Sequence, residues 1–363
     1  MLHYLEPRTD VPAKDDWSTR LALLDVRIGV RHHLGSLVVA VTFVATFFLP
    51  SSPGNTAARI VLGVLVVMSL GALLPNRRIR RAVRRGLLDE PWRRVPAMVA
   101  EKQENDMADR LLLDGLVLKG SFAELPDVVS ERQEVFVLGP DPEGRALIRA
   151  AGSTSMYVAS TDEGEYRAAE RVERPMVSPS EEPLLQDSVE MMRVLGHLFW
   201  VLPVVNFLVV GVLIALSVSP LAPAGLIAVA VLIPGLRSWP WSVEAFLQSR
   251  GNTRAVAGSE AWTPVPVRLL PWRRGHHVAG IADLPGGPAL VRFPQPHSDL
   301  VANVAATGVM WVAGTHRGRL AVGLPGTGGL MTAVVFPDRA GRGSDPMSWW
   351  RRIRRNDYSD LPK

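Results

Sequence analysis

Hydrophobic residues are distributed along this chain in two different ways. Four runs, Leu34 to Leu49, Ala57 to Leu74, Val194 to Val218 and Leu221 to Leu236, are apolar almost without interruption, while the segments that follow each pair alternate short apolar and polar stretches. A helix rises about 1.5 Å per residue and a hydrocarbon core is roughly 30 Å thick, so the runs predict transmembrane helices. Short turns, Ser51 to Asn55 and Ser219-Pro220, join the members of each pair, which predicts two helical hairpins. Ahead of the first run, Trp17, Leu21, Leu24 and Ile28 share one helical face with Arg20, Arg27 and Arg31 beside it, the pattern of an amphipathic helix on a membrane surface or, equally, of a plain cytoplasmic extension of the first span.

The polar segments read as strands. Those expected in the first are Val95 to Ala100, Leu111 to Lys119, Glu134 to Leu138, Ala146 to Arg149 and Met156 to Ala159. In the second they are Val265 to Leu270, His277 to Ala282, Ala289 to Phe293, Met310 to Ala313, Leu320 to Gly323 and Met331 to Phe336. Landmarks recur in order. Glu90-Pro91-Trp92 is echoed by Glu260-Ala261-Trp262, and Tyr157-Val158-Ala159 by Trp311-Val312-Ala313, so the chain reads as a duplication.

The expected fold class is an α+β membrane protein with four transmembrane helices as two hairpins, each followed by a small cytoplasmic module resembling a β-barrel or sandwich. Its divisions are an N-terminal segment 1–33, hairpin 34–75, β module 76–171, linker 172–193, hairpin 194–236, β module 237–337 and basic tail 338–363. Arginine flanks both ends of the first hairpin and is missing from its turn, which predicts an inner (plasma) membrane protein with both termini cytoplasmic. More than thirty residues precede the first run, so it is expected to stay as an uncleaved anchor.

Composition changes this picture little. The 363 residues carry a net charge of +5, mostly from arginine, and these arginines cluster beside the apolar runs. Anionic lipid headgroups are therefore the expected partner, and nucleic acid is not. With no cysteine there is no disulfide framework and no thiolate chemistry.

Candidate chemistry is sparse. The membrane-surface residues expected are Arg77, Arg78, Arg80, Arg81, Arg84 and Arg85 after the first hairpin, and Trp349, Trp350, Arg351, Arg352, Arg354 and Arg355 near the end, where Arg-Arg-Ile-Arg-Arg is repeated. Gly323 to Gly329 lacks the Gly-Lys-Ser/Thr of a phosphate loop and reads as a turn between strands. His32-His33 and His276-His277 lack a third ligand at useful spacing, so no metal and no cofactor is expected. His197 and Asn206 suit helix-helix hydrogen bonding. Glu181-Glu182 falls in the linker and reads as solvated, and no hydrolase motif is present.

The layout resembles the uncharacterised integral membrane proteins common in actinobacteria, the likeness being carried by Trp92 and Trp262 at the module heads and by the triplets at Tyr157 and Trp311. That resemblance implies a bacterial membrane location. The expected function is non-enzymatic: a scaffold whose duplicated β modules bind a protein partner or self-associate. The alternatives are a channel or transporter component formed by oligomerised hairpins, and an enzyme with a site shared between the modules.

Overall fold

The computed structural model describes residues 3–23, 44, 47, 56, 59–60, 63, 66, 78–101, 108–122, 125–171, 177–194, 246–270, 278–294, 296–316 and 318–336. The chain divides into two compact units, one of residues 1–24, 79–191 and 250–363 and the other of 25–78 and 192–249. Both β modules belong to the first.

In chain order, the elements begin with helix α1 at 17–23, helix α2 at 78–84 and a single 3-10 turn, Leu87–Asp89. Next come β1 (Arg93–Val99), β2 (Asp109–Leu113), β3 (Leu116–Gly120), α3 (Leu125–Arg132), β4 (Glu134–Leu138), β5 (Arg145–Arg149) and β6 (Tyr157–Asp162). After α4 at 183–194 and α5 at 246–257 the plan repeats: β7 (Thr263–Leu269), β8 (Val278–Leu284), β9 (Gly287–Phe293), α6 (Ser298–Thr307), β10 (Val309–His316), β11 (Arg319–Gly323) and β12 (Leu330–Phe336).

Each set of six strands closes on itself. The orders β1-β2-β3-β6-β5-β4 and β7-β8-β9-β12-β11-β10 are the same antiparallel plan used twice, and closure removes the unpaired edges that would otherwise template aggregation. Period-two alternation sorts the side chains. On β4, Val135 and Val137 point into the barrel core with Ala97, Leu111, Leu118 and Ile148, while Phe136 and Leu138 face outward onto a second cluster with Trp92, Ala22 of α1 and Ala82 of α2. Strands β1 and β7 change partner at a proline. Arg93 to Pro96 pair with β4 and Ala97 to Val99 with β2, just as Val265 and Pro266 pair with β10 and Val267 onward with β8. A residue without an N–H is tolerated where the ladder is already being handed over.

Helices α3 and α6 fill equivalent places. Leu125, Val128 and Val129 join the first barrel's core, and Leu300, Val301 and Val304 join the second's. Each such side chain contributes roughly 1.5–3 kcal/mol of burial before chain ordering is counted.

Three expectations are corrected. The fold is two closed six-stranded barrels, not a membrane protein of four transmembrane helices, and among the described residues no helix is long and apolar enough to cross a membrane. Among the described residues, α4 and α5 carry Glu190, Arg193, Arg250 and Arg254. The multi-pass placement in the inner membrane rested on those helices and is withdrawn with them. Of the four apolar runs, only residues 44, 47, 59–60, 63, 66 and 194 are described, and the rest lie outside the described residues. Finally, the face of α1 meant for lipid is covered by protein: Leu21 is buried, and it packs with Trp17 into the cluster containing Val265, Phe293 and Leu324. Leu24 and Ile28 lie outside the described residues.

Packing of α5 on the second barrel depends on one residue without a side chain. A Cβ at Gly314 would stand 2.1 Å from the Ala255 carbonyl oxygen. Gly314→Ala is expected to lower stability by about 1–3 kcal/mol through this overpacking, measured by urea unfolding of the full chain.

Candidate functional site: the junction of the barrels

Equivalent turns meet at the junction. The β5–β6 connection of the first barrel and the β11–β12 connection of the second each place a glycine in the left-handed region, Gly152 at φ 83° and Gly326 at φ 77°. A Cβ on Gly152 would lie 3.1 Å from Leu324 Cδ2, which shows how closely the two turns approach.

Helix α6 grips the first barrel's turn. Asp299, in its first turn, accepts hydrogen bonds from Ser153 Oγ at 2.7 Å, Thr154 N at 2.9 Å and the Thr154 hydroxyl. One turn further on, the buried Asn303 accepts from Leu5 N at 2.8 Å and donates through Nδ2 to Gly152 O at 2.6 Å and to Asp299 O at 2.7 Å. One amide thus ties together the N-terminal segment, a turn of one barrel and a helix of the other. The other turn is held reciprocally. Glu182, 6% exposed, accepts Gly326 N at 2.7 Å and Trp262 Nε1 at 3.0 Å, while the Tyr4 hydroxyl donates to Pro325 O at 3.2 Å. Arg132 lies over the Tyr4 ring at 3.6 Å and donates to Ala151 O. Burial raises the Tyr4 phenol above its ordinary pKa in spite of the opposing pull of Arg132.

Beside the junction lies a buried ion pair. Asp16 caps α1, accepting from Thr19 N at 2.9 Å and Thr19 Oγ1 at 2.7 Å, and stands 3.6 Å from Arg149 at the end of β5. Both side chains are essentially inaccessible. Burial pushes the Arg149 guanidinium down to about 10, still charged at neutral pH, with Asp16 and then Asp299 opposing that shift. Arg149 donates to Ser18 Oγ at 2.8 Å, yet its Nη2 and Asp16 Oδ1 have no partner among the described residues. Thr19 Oγ1 in turn accepts Trp92 Nε1 at 2.9 Å. The two module-head tryptophans therefore do the same job, each tying its barrel to the N-terminal end of the α-helix before the preceding one, α1 past α2 and α4 past α5.

The residues singled out from sequence fall elsewhere. Arg78, Arg81 and Arg84 are exposed on α2, Arg80 on the same helix is half-buried, and Arg85 pairs with Glu143 and lies 3.6 Å from Asp141 in the β4–β5 turn. Arg77, the stretch from Trp349 to Arg355, both histidine pairs, His197 and Asn206 lie outside the described residues. Glu182, taken as solvated, is instead a buried acceptor. The glycine-rich stretch Gly323 to Gly329 closes β11 and forms the turn that meets the other barrel. Sequence reading passed over Asp16, Arg149, Asp299 and Asn303. A helix-start signal marks two of them, Asp16 three residues before Thr19 and Ser298-Asp299 before an apolar helix.

Serine, histidine and aspartate side chains do converge here, since Ser153, His297 and Asp299 all line one cleft. Their arrangement is not that of an activated nucleophile. The serine proton goes directly to the carboxylate, whereas a hydrolytic serine gives it to an imidazole that the acid orients. Comparison with protein-family models, curated proteins and solved structures finds no match to the chain.

Two sets of variants probe this junction. Asn303→Ala leaves the Leu5 N–H and the Gly152 carbonyl buried without partners and is expected to cost about 2–5 kcal/mol, with faster amide exchange at Leu5 as the local signature. Arg149→Met alone strands a buried carboxylate at a cost of about 3–5 kcal/mol, while D16N/R149M together should cost less than the two single changes added. Urea unfolding in a double-mutant cycle measures the difference, and additive costs would show that the pair is not coupled.

Proposed function

We propose that the chain is a non-enzymatic interaction protein, a scaffold whose two joined barrels bind a protein partner or a second copy of the chain. The observation that carries this reading is how the reactive side chains at the junction are used. Ser153, Thr154, Asp299 and Asn303 hold one barrel to the other, and a serine whose proton rests on a carboxylate is a structural group.

The outer surface supports the same reading. On the first strand of each barrel the outward positions are Arg94, Pro96 and Met98 in one case and Pro264, Pro266 and Arg268 in the other, all exposed. Arginine and methionine on a firm strand surface are residue types enriched where proteins dock. Duplication presents two such strips in one chain, so even modest affinity at each adds up when both are engaged.

A photo-reactive amino acid at Met98 or at Arg268, cross-linked in living cells, tests this. The expected result is one recurrent adduct, the chain itself or a single partner, from both positions. Recovery of no specific adduct at either module would overturn the proposal.

A further inference from the structure

The cleft between the barrels has a volume of about 160 Å³. An apolar cavity of roughly 150 Å³ admits a benzene-sized molecule, so the space is that of one small ring. Its walls come from both modules: Leu125 and Tyr157 from the first barrel, Leu300 and Leu324 from the second. The lining is more apolar than polar, and its carboxylate is Asp299.

Asp299 is held in place yet not fully used. Oδ1 accepts two hydrogen bonds, from Thr154 N and the Thr154 hydroxyl, whereas Oδ2 accepts one, from Ser153 Oγ. A carboxylate oxygen has room for two, so among the described residues Oδ2 keeps one acceptor position. The side chain is only partly buried and lines the cleft. The charges that act on Tyr4 are those of Arg132, Glu131 and Glu182, and those that act on Arg149 are the carboxylates of Asp16 and Asp299.

We propose that this cleft binds a small organic ammonium ion, with its charged head on Asp299 Oδ2 and an apolar body of about one ring among Leu125, Leu300 and Leu324. A divalent metal is a poorer match, because it wants about six oxygen ligands and has no use for an apolar wall. The inference goes beyond the interaction reading and does not depend on it, since the cleft and the outer strips of β1 and β7 involve different residues.

Benzylamine, benzyl alcohol and benzoate have nearly the same shape and differ in charge, so their binding to the purified full chain isolates the electrostatic part. Titration calorimetry is expected to show benzylamine binding about tenfold tighter than benzyl alcohol, as one charge-assisted hydrogen bond predicts, and benzoate weakest. Asp299→Asn should abolish the preference for the amine. Because that change also touches the junction, Gly329→Leu is the second arm: Gly329 lines the cleft, a Cβ there would lie 3.5 Å from Leu300 Cδ2, an ordinary contact, and the longer side chain adds bulk at that wall while the Asp299 carboxylate is kept. It should leave the circular dichroism spectrum unchanged and remove benzylamine binding. Benzoate binding as well as benzylamine, no benzylamine binding by the parent chain, or unchanged benzylamine binding in Gly329→Leu would each overturn the assignment. Cross-linking at Met98 and Arg268 reads the interaction surface separately, so the failure of one proposal is distinguishable from the failure of the other.

Discussion

A buried amide, Asn303, is the point on which the arrangement of the barrels depends. Its side chain bonds to a residue 298 positions earlier and to another 151 positions earlier. Such long loops cost entropy to close, and the hydrogen bonds that close them are made where water is excluded. There a missing partner costs more than a present one gains. Each barrel has its own apolar core and its own closed ladder, so neither core dictates how the two meet. Directional polar contacts do that: Asn303 and Asp299 bond the first barrel's turn, and Tyr4, beneath Arg132 of α3, bonds Pro325 in the second's.

Duplication gives the junction its form, and divergence makes it asymmetric. Arg149 ends β5 and Gly323 ends the equivalent β11. On one side the position is occupied by a buried guanidinium that needs Asp16; on the other it is left empty, and a Cβ there would come 2.8 Å from the Trp262 ring. The acid before each helix has diverged in step. Asp16 caps α1 and faces Arg149, whereas the longer Glu182 reaches both the Trp262 indole and the Gly326 N–H. A pair of identical barrels could be exchanged without penalty. These two cannot be, because Arg149 set in the place of Gly323 would overlap an indole and find no carboxylate arranged to receive it.

What was legible in the sequence was what short-range periodicity records. Glu134 to Leu138 stands out as a strand and is one, because alternation over five residues is a local signal. Leu111 to Lys119 reads as a single strand but is the hairpin β2–β3, turned at Asp114-Gly115, a dipeptide that favours tight turns. Helices α3 and α6 escaped notice because each is only two or three turns long and plugs a barrel, so its pattern is broken by residues serving the other module. The apolar runs predicted a fold class that the described chain does not have. They drew the reading of α1 with them, when the Trp17 and Leu21 face answers to a protein core. The junction was the least legible part, since nothing local connects Asp299 to Thr154 or Asn303 to Leu5.

Why the cleft should accept a guest at all follows from how the barrels are joined. Two convex, closed barrels that touch through their turns cannot fill the space between them with side chains from a continuous core, because each strand already directs alternate residues into its own barrel. Small residues make the close approach possible, Gly152 and Gly326 at the turns and Gly329 beside them, and the same absence of side chains leaves room behind the contact. Asp299 is placed at that gap by its own task. It must reach across from α6 to bond Ser153 and Thr154, and a carboxylate reaching across a gap cannot be fully enclosed by either barrel. The group that secures the junction is therefore also the one left partly open, so a cation that settles on its free lone pair would add a bond at the place where the two barrels are joined.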